Sequence, residues 1–260
     1  MSPASTQERA SQIPVIAGIV LLTLLAWAYL FRLHGQMTGA MADAEAMRAM
    51  GMPMHHAWAR ADVWFAFVMW AVMMAGMMLP SAAPTLLVYG MVARRDDAAA
   101  APLRIHLFAG GYLVMWTAFS AVATAVQWAF TSTGVLSPMM EIQAPAVAGA
   151  LLVVAGLYQL TPLKRACLSA CQSPAAFLVA HWRAGRAGAF RLGLVHGWYC
   201  LGCCWALMLL LFAGGVMNLA VIVGLTTFLL IEKLMPHAVQ GGRVSGTLLV
   251  ASGLYVALLR

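Results

Sequence analysis

The segment His196-Gly-Trp-Tyr-Cys-Leu-Gly-Cys-Cys-Trp205 places three thiols and one imidazole within nine residues of an otherwise apolar stretch. On an α-helix each residue advances about 100°, so relative to His196 the side chains of Cys200, Cys203 and Cys204 lie near about +40°, −20° and +80°. All four share one helix face. Thiolates with an imidazole suit Cu(I) or Zn(II). The competing reading is that free cysteine is a small hydrophobe that packs well in apolar surroundings.

Two other groups of soft side chains extend the pattern. Met50-x-Met52-x-Met54-His55-His56 follows Met37, Met41 and Met47, and eleven of the 19 methionines fall between positions 37 and 78. Thioethers stay available as ligands where thiols would oxidise, so this segment could capture copper outside the cytoplasm; as flexible apolar contacts at the membrane surface it would need no metal. Met69, Met73 and Met77 recur every four residues, with Met74 and Met78 beside them. Pro80 and Pro84 free backbone carbonyls near the same level, which protein groups or a polar cavity must satisfy. Cys167 and Cys171, also four apart, follow Lys164 and Arg165, whose charges would favour thiolate.

The elements that must position these residues are membrane helices. The chain has 260 residues, is 63% hydrophobic and only 9% charged, and its mean hydropathy is +0.86; a soluble domain carries roughly 25% charged residues. An all-α, polytopic bundle is expected, with spans near 13–31, 63–92, 104–129, 144–162, 190–213, 217–236 and 244–259: about seven, or six if the short last segment does not cross. The second should bend near its prolines, and Cys167 and Cys171 share a helix if the fourth continues past Pro162. No cleavable signal peptide is evident, and 13–31 reads as a signal anchor.

Charge orients the bundle. Residues 163–192 contain Lys164, Arg165, Arg183, Arg186 and Arg191 with no acid and should be cytoplasmic. This explains the net charge of +7 without invoking nucleic acid. The expected organisation is a cytoplasmic N-terminus at 1–12, the anchor at 13–31, an extracytoplasmic Met/His-rich segment at 32–62, and a helix bundle over 63–259 with a cytoplasmic Cys/Arg loop at 163–189. The setting is a cell (inner) membrane. Five cysteines cannot all pair within one chain, which argues against a disulfide framework. Leu151–Tyr158 echoes Leu248–Tyr255 (LLVVAGLY against LLVASGLY) on helices that should run in opposite directions, as in an inverted repeat. Gln127 falls near an outer span end and needs no special role. Glu232 could pair with Lys233 or Arg243, or meet the fifth span, and is expected close enough to the interface for solvation. His181 reads as a surface histidine.

Several segments together carry a resemblance: Met73-Met-Ala-Gly-Met-Met-Leu-Pro80 with Pro84; Tyr158-Gln-Leu-Thr-Pro-Leu-Lys164 with Cys167 and Cys171; Cys200-Leu-Gly-Cys-Cys-Trp-Ala-Leu-Met208; and Glu232-Lys-Leu234. Over roughly 63–259 the chain resembles a prokaryotic family of predicted metal-binding integral membrane proteins, with members labelled copper chaperones. The resemblance implies metal binding without naming metal, direction or reaction.

The expectation is a non-enzymatic membrane protein that binds copper, as Cu(I), with zinc second. Met50, Met52, Met54, His55 and His56 would capture the ion, and Met73 and Met77 would relay it. His196, Cys200, Cys203 and Cys204 would hold it, and Cys167 and Cys171 would exchange it with a donor or acceptor protein. Deep thiolates need a compensating cation. One helix does not easily supply four tetrahedral ligands, so two- or three-coordinate Cu(I) fits more easily. Glu232 is a further candidate. No nucleotide-binding loop or phosphorylated-aspartate motif is present, which disfavours ATP-driven pumping. The alternatives are a thiol-redox protein cycling Cys200 and Cys203, and a structural membrane subunit without metal.

Overall fold

The computed structural model describes residues 3–49, 58–136, 140, 142, 144–235 and 238–259, with side chains at 12–39, 58–136, 140, 142, 144–235 and 241–258. Met50, Met52, Met54, His55 and His56 lie outside the described residues. The elements are α1 (Pro3–Ala49), α2 (Arg60–Asp96), α3 (Ala101–Ser132), α4 (Pro145–Leu160), α5 (Pro162–Gln172), α6 (Pro174–His181), α7 (Gly185–Met208), α8 (Leu210–Ala213), α9 (Leu219–Leu234) and α10 (Ala238–Leu259). The all-α class is as expected; the only β-pairing among the described residues is an isolated bridge, Leu136 with Ile142.

Seven spans are not found among the described residues by length and apolarity; six, the lower expected count, is the most they allow. By length and apolarity, five described helical stretches can cross a membrane: Gln12–Gly39, Arg60–Asp96, Ala101–Ser132, Gly185–Ala213 and Gly241–Leu258. A sixth arises if α4 and α5, bent by 66°, count together. The helix breaks at Thr161, so the fourth span does not run straight through Pro162. Thr161 instead caps a new helix by accepting from the Lys164 amide, and Pro162, with no N–H to satisfy, takes its first position. The expected loop at 163–189 is thus largely helical. α9 has 16 residues, about 24 Å at 1.5 Å each, shorter than a bilayer core of roughly 30 Å. By contrast α2 passes Pro80 and Pro84 as one helix of 37 residues.

α7 is the centre. It is buried along much of its length, whereas the leucines and valines of α1 and α10 face outward. Glycines let α3 and α7 touch backbone to backbone: a Cβ at Gly193 would collide with the Phe108 carbonyl, and one at Gly111 with that of Phe190. Gly197, one turn beyond Gly193, lies against Tyr112 and Met115, one to two turns beyond Phe108, so the two helices run in the same direction. Replacing Gly193 by alanine is expected to lower stability by about 1–3 kcal/mol, because a backbone carbonyl cannot rotate away as a side chain can. The comparison is Gly110→Ala, which meets open space and should be neutral or mildly stabilising. Unfolding in detergent distinguishes the pair; equal melting points would mean that the helices do not depend on this approach.

α4 and α10 form a second close pair, antiparallel. Gly149 lies against the Gly253 carbonyl, and Gly156 and Gly246 lie against each other's carbonyls. In the sequence echo Gly149 aligns with Gly246 and Gly156 with Gly253, so the two matching segments pack on each other about a local two-fold axis.

Candidate functional site

Cys200 sits one residue past the midpoint of the Gly185–Ala213 stretch, and its thiol is the hub of a buried cluster. From α5, Cys171 reaches the Cys200 and Cys203 thiols closely enough for side-chain interaction. Within α7, Cys203 Sγ donates to the Cys200 carbonyl at 3.0 Å and Cys204 Sγ to the same carbonyl at 2.9 Å. Cys167 is half-buried, its sulfur against the backbone of Gly202, a position where any Cβ would crowd it. Tyr158 of α4 donates to the Gly202 carbonyl and holds that turn in place. The bend at Thr161 is what lays α5 on α7 and brings its thiols to the cluster. The cysteines described are all free. Among the described residues no group of three or more His, Cys, Asp or Glu side chains is placed to hold one ion. The thiols therefore adjoin one another without forming a cage around one ion.

Around Cys200 two further groups close in. Tyr112 of α3 has its hydroxyl 3.1 Å from Cys200 Sγ and donates to the Met78 carbonyl at 3.0 Å. The Lys233 ammonium, from the last turn of α9, lies 3.0 Å from Cys200 Sγ and 3.0 Å from Ser81 Oγ, and 3.7 Å from the Met78 sulfur. Lys233 is 4% exposed. It lies on the face of the last turn of α9 that meets Ser81 of α2 and Cys200 of α7, whereas Leu234 and Met235 beyond it are exposed. Lys233 is the residue that sequence reasoning missed. Its signal was a cation in an apolar helix, which by default marks function.

Its neighbour Glu232 faces the other way. Glu232 Oε1 pairs with Lys164 Nζ at 2.5 Å, with side chains 2–3% exposed. Gln159 accepts from Lys164 and donates to Ser245 at 3.1 Å, while Gln172 donates to the Glu232 carbonyl at 2.8 Å. Glu232 is thus neither solvated nor paired with Lys233 or Arg243, because the α5 bend delivers Lys164 first. By the same contact Lys164 is withdrawn from Cys167 and Cys171. The second carboxylate oxygen, Oε2, is buried without a partner.

His196 shares the cysteine face of α7 and is buried, but its ring is boxed by Phe108, Tyr112 and Phe177 at centroid distances of 5.9, 5.6 and 5.1 Å. Its Nδ1 has no hydrogen-bond partner. Met73 and Met77 are fully buried on α2 in the helix core with Met69, Met74 and Met78. Of this group it is Met78 that touches the cluster. Gln127 is not an idle interfacial residue: it is 1% exposed and accepts the Trp70 indole N–H at 2.6 Å. His181 is half-buried on Phe177 rather than a free surface residue.

The cluster brings buried thiols, which are soft ligands, from two helices together beside an ammonium 3.0 Å from Cys200 Sγ. Neither a curated protein nor a solved structure matches the chain. Residues 67–256 match the model of the PpoB2 family, described as copper chaperone, and the chain belongs to that family.

Proposed function

We propose that this protein is an integral membrane carrier of copper that takes up Cu(I) between Cys171 of α5 and Cys200 of α7 and hands it to an acceptor protein. The observation that carries the reading is the meeting of thiols from two separate helices at mid-span. Two sulfurs on different elements can approach an ion from opposite sides, the geometry of two-coordinate Cu(I), whereas zinc asks for four ligands. Cys203 can rotate off the Cys200 carbonyl to join as a third ligand or to pass the ion on. Cys167, the least buried thiol, gives the exchange route toward the α5 side, and Cys204 supports the cluster. His196, with its free Nδ1, is a reserve ligand. Met50, Met52, Met54, His55 and His56 would collect copper, Met73 and Met77 would lead it inward, and Glu232 would act by fixing α5 through Lys164. The setting is a cell membrane with the N-terminus in the cytoplasm, and the direction is uptake or delivery.

The test is Cu(I) titration of the purified protein against a colorimetric chelator, beside a variant with all five cysteines changed to serine. The expected result is about one tightly held ion per chain, absent from the variant. A metal-free protein that instead forms a reversible Cys200–Cys203 disulfide would replace this reading with thiol-redox chemistry. Retention of copper by the serine variant would remove the thiols from it. Replacing the five Met and His ligands of 50–56 should slow copper entry into whole cells; unchanged uptake would take that segment out of the route.

A further inference from the structure

Lys233 is an unusual neighbour for a metal-binding thiol, since a cation repels an incoming cation. It has no carboxylate partner among the described residues: the adjacent Glu232 is committed to Lys164. Its ammonium instead faces Cys200 Sγ, Ser81 Oγ and the Met78 sulfur, in a site that also holds the Tyr112 hydroxyl 3.1 Å from Cys200 Sγ. Such a charge makes sense only against the charge of the loaded site.

Counting charge decides the matter. Two thiolates with one Cu(I) carry a net charge of −1, and the Lys233 ammonium brings the buried group to zero. Two thiolates with one Zn(II) are already neutral, and the same ammonium then leaves an uncompensated +1. An unpaired buried charge is strongly unfavourable, and at an effective dielectric constant of about 20 a unit charge a few ångströms away is worth several powers of ten in affinity. We propose that Lys233 is a specificity-determining residue that makes the Cys171/Cys200 thiol site select monovalent soft ions over divalent ones by charge, without itself being a ligand. This rests on the Cu(I) reading above and deepens it: ligand softness admits copper and zinc alike, and Lys233 separates them.

The experiment compares Cu(I), Ag(I) and Zn(II) affinities by chelator competition in the wild type and in Lys233→Met, Lys233→Arg and Ser81→Asp, using the full chain in detergent. Lys233→Met should weaken Cu(I) and Ag(I) by about 100-fold or more and leave Zn(II) unchanged or tighter, so that the monovalent-to-divalent ratio collapses. Lys233→Arg keeps the charge and should keep the ratio. Ser81→Asp places a carboxylate at the position now 3.0 Å from the ammonium and should lower the ratio with Lys233 intact, so the question does not hang on Lys233→Met folding. A ratio within threefold of wild type in either charge-cancelling variant that folds would overturn the proposal. Monovalent binding that is absent from the wild type, or independent of cysteine, would overturn the Cu(I) reading instead, which keeps the two failures apart.

Discussion

Lys164→Met is expected to destabilise the protein by about 3–5 kcal/mol, enough to cost most of its folded yield in a membrane extract. The pair it breaks is almost wholly enclosed, with Lys164 and Glu232 side chains 2% and 3% exposed. Removing the ammonium leaves a carboxylate whose Oε2 already lacks a partner, with only the Gln159 amide, 3.5 Å from Oε1, to answer it. The double variant Lys164→Met/Glu232→Met removes both charges and should recover most of the loss, because a buried pair contributes little net stability over apolar residues of similar size. Thermal unfolding of the four proteins of this cycle measures the coupling. Additive losses would show that the two groups do not depend on each other. The effect should spread beyond stability. Lys164 is in the first turn of α5, and Gln172 in its last turn binds the Glu232 carbonyl, so both ends of the helix that carries Cys167 and Cys171 are fastened to the same point on α9.

The fold was largely legible because bilayer solvent leaves few choices. Apolar runs in a chain with 9% charge must be helices, since no other open structure satisfies its backbone in lipid. Each expected span corresponds to a helix, and the Leu151–Tyr158 echo picked out the α4/α10 pair. What composition could not supply was which helices cover the end of α9. Glu232 and Lys233 were expected close to solvent, but both are buried, Glu232 against Lys164 of α5 and Lys233 against Ser81 of α2 and Cys200 of α7, while Leu234 and Met235 beyond them are exposed. The site divides the same way. A common face for His196, Cys200, Cys203 and Cys204 follows from 100° per residue, because it is a property of one helix. The partners of that face come from α3, α5 and α9, and tertiary pairing across tens of residues leaves no periodic trace. Lys164 was assigned to the thiols beside it in sequence and Lys233 to Glu232 for the same reason. Both assignments fail because tertiary partners outrank sequence adjacency: the 66° bend brings Lys164 to Glu232, and α7 brings Cys200 to Lys233.

Cys200→Ser should reduce Cu(I) affinity by well over 100-fold, more than any other single replacement in the chain. Cys200 alone among the thiols touches the other components of the cluster: Cys171 from α5, the Tyr112 hydroxyl at 3.1 Å and the Lys233 ammonium at 3.0 Å. Serine keeps the size but offers a hard oxygen that stays protonated, so both the softness and the charge of the ligand are lost. Losing an outer partner of a metal ligand typically costs roughly 10–100-fold. Tyr112→Phe is the matching case here and should fall in that range, since it removes the hydroxyl facing Cys200 Sγ and leaves the sulfur. Cys171→Ser should approach the Cys200→Ser loss, because it empties the opposite side of a two-coordinate ion. Cys204→Ser should cost less than about tenfold, for its thiol, which donates to the Cys200 carbonyl, lies on the same helix as Cys200 and does not supply the second helix's ligand. The ranking is the discriminating quantity, read from chelator competition on each single variant with folding checked by circular dichroism. Equal losses for Cys200, Cys203 and Cys204 would favour a site built on α7 alone. Tolerance of Cys171→Ser would break the link to α5, and with it the reason for the bend at Thr161.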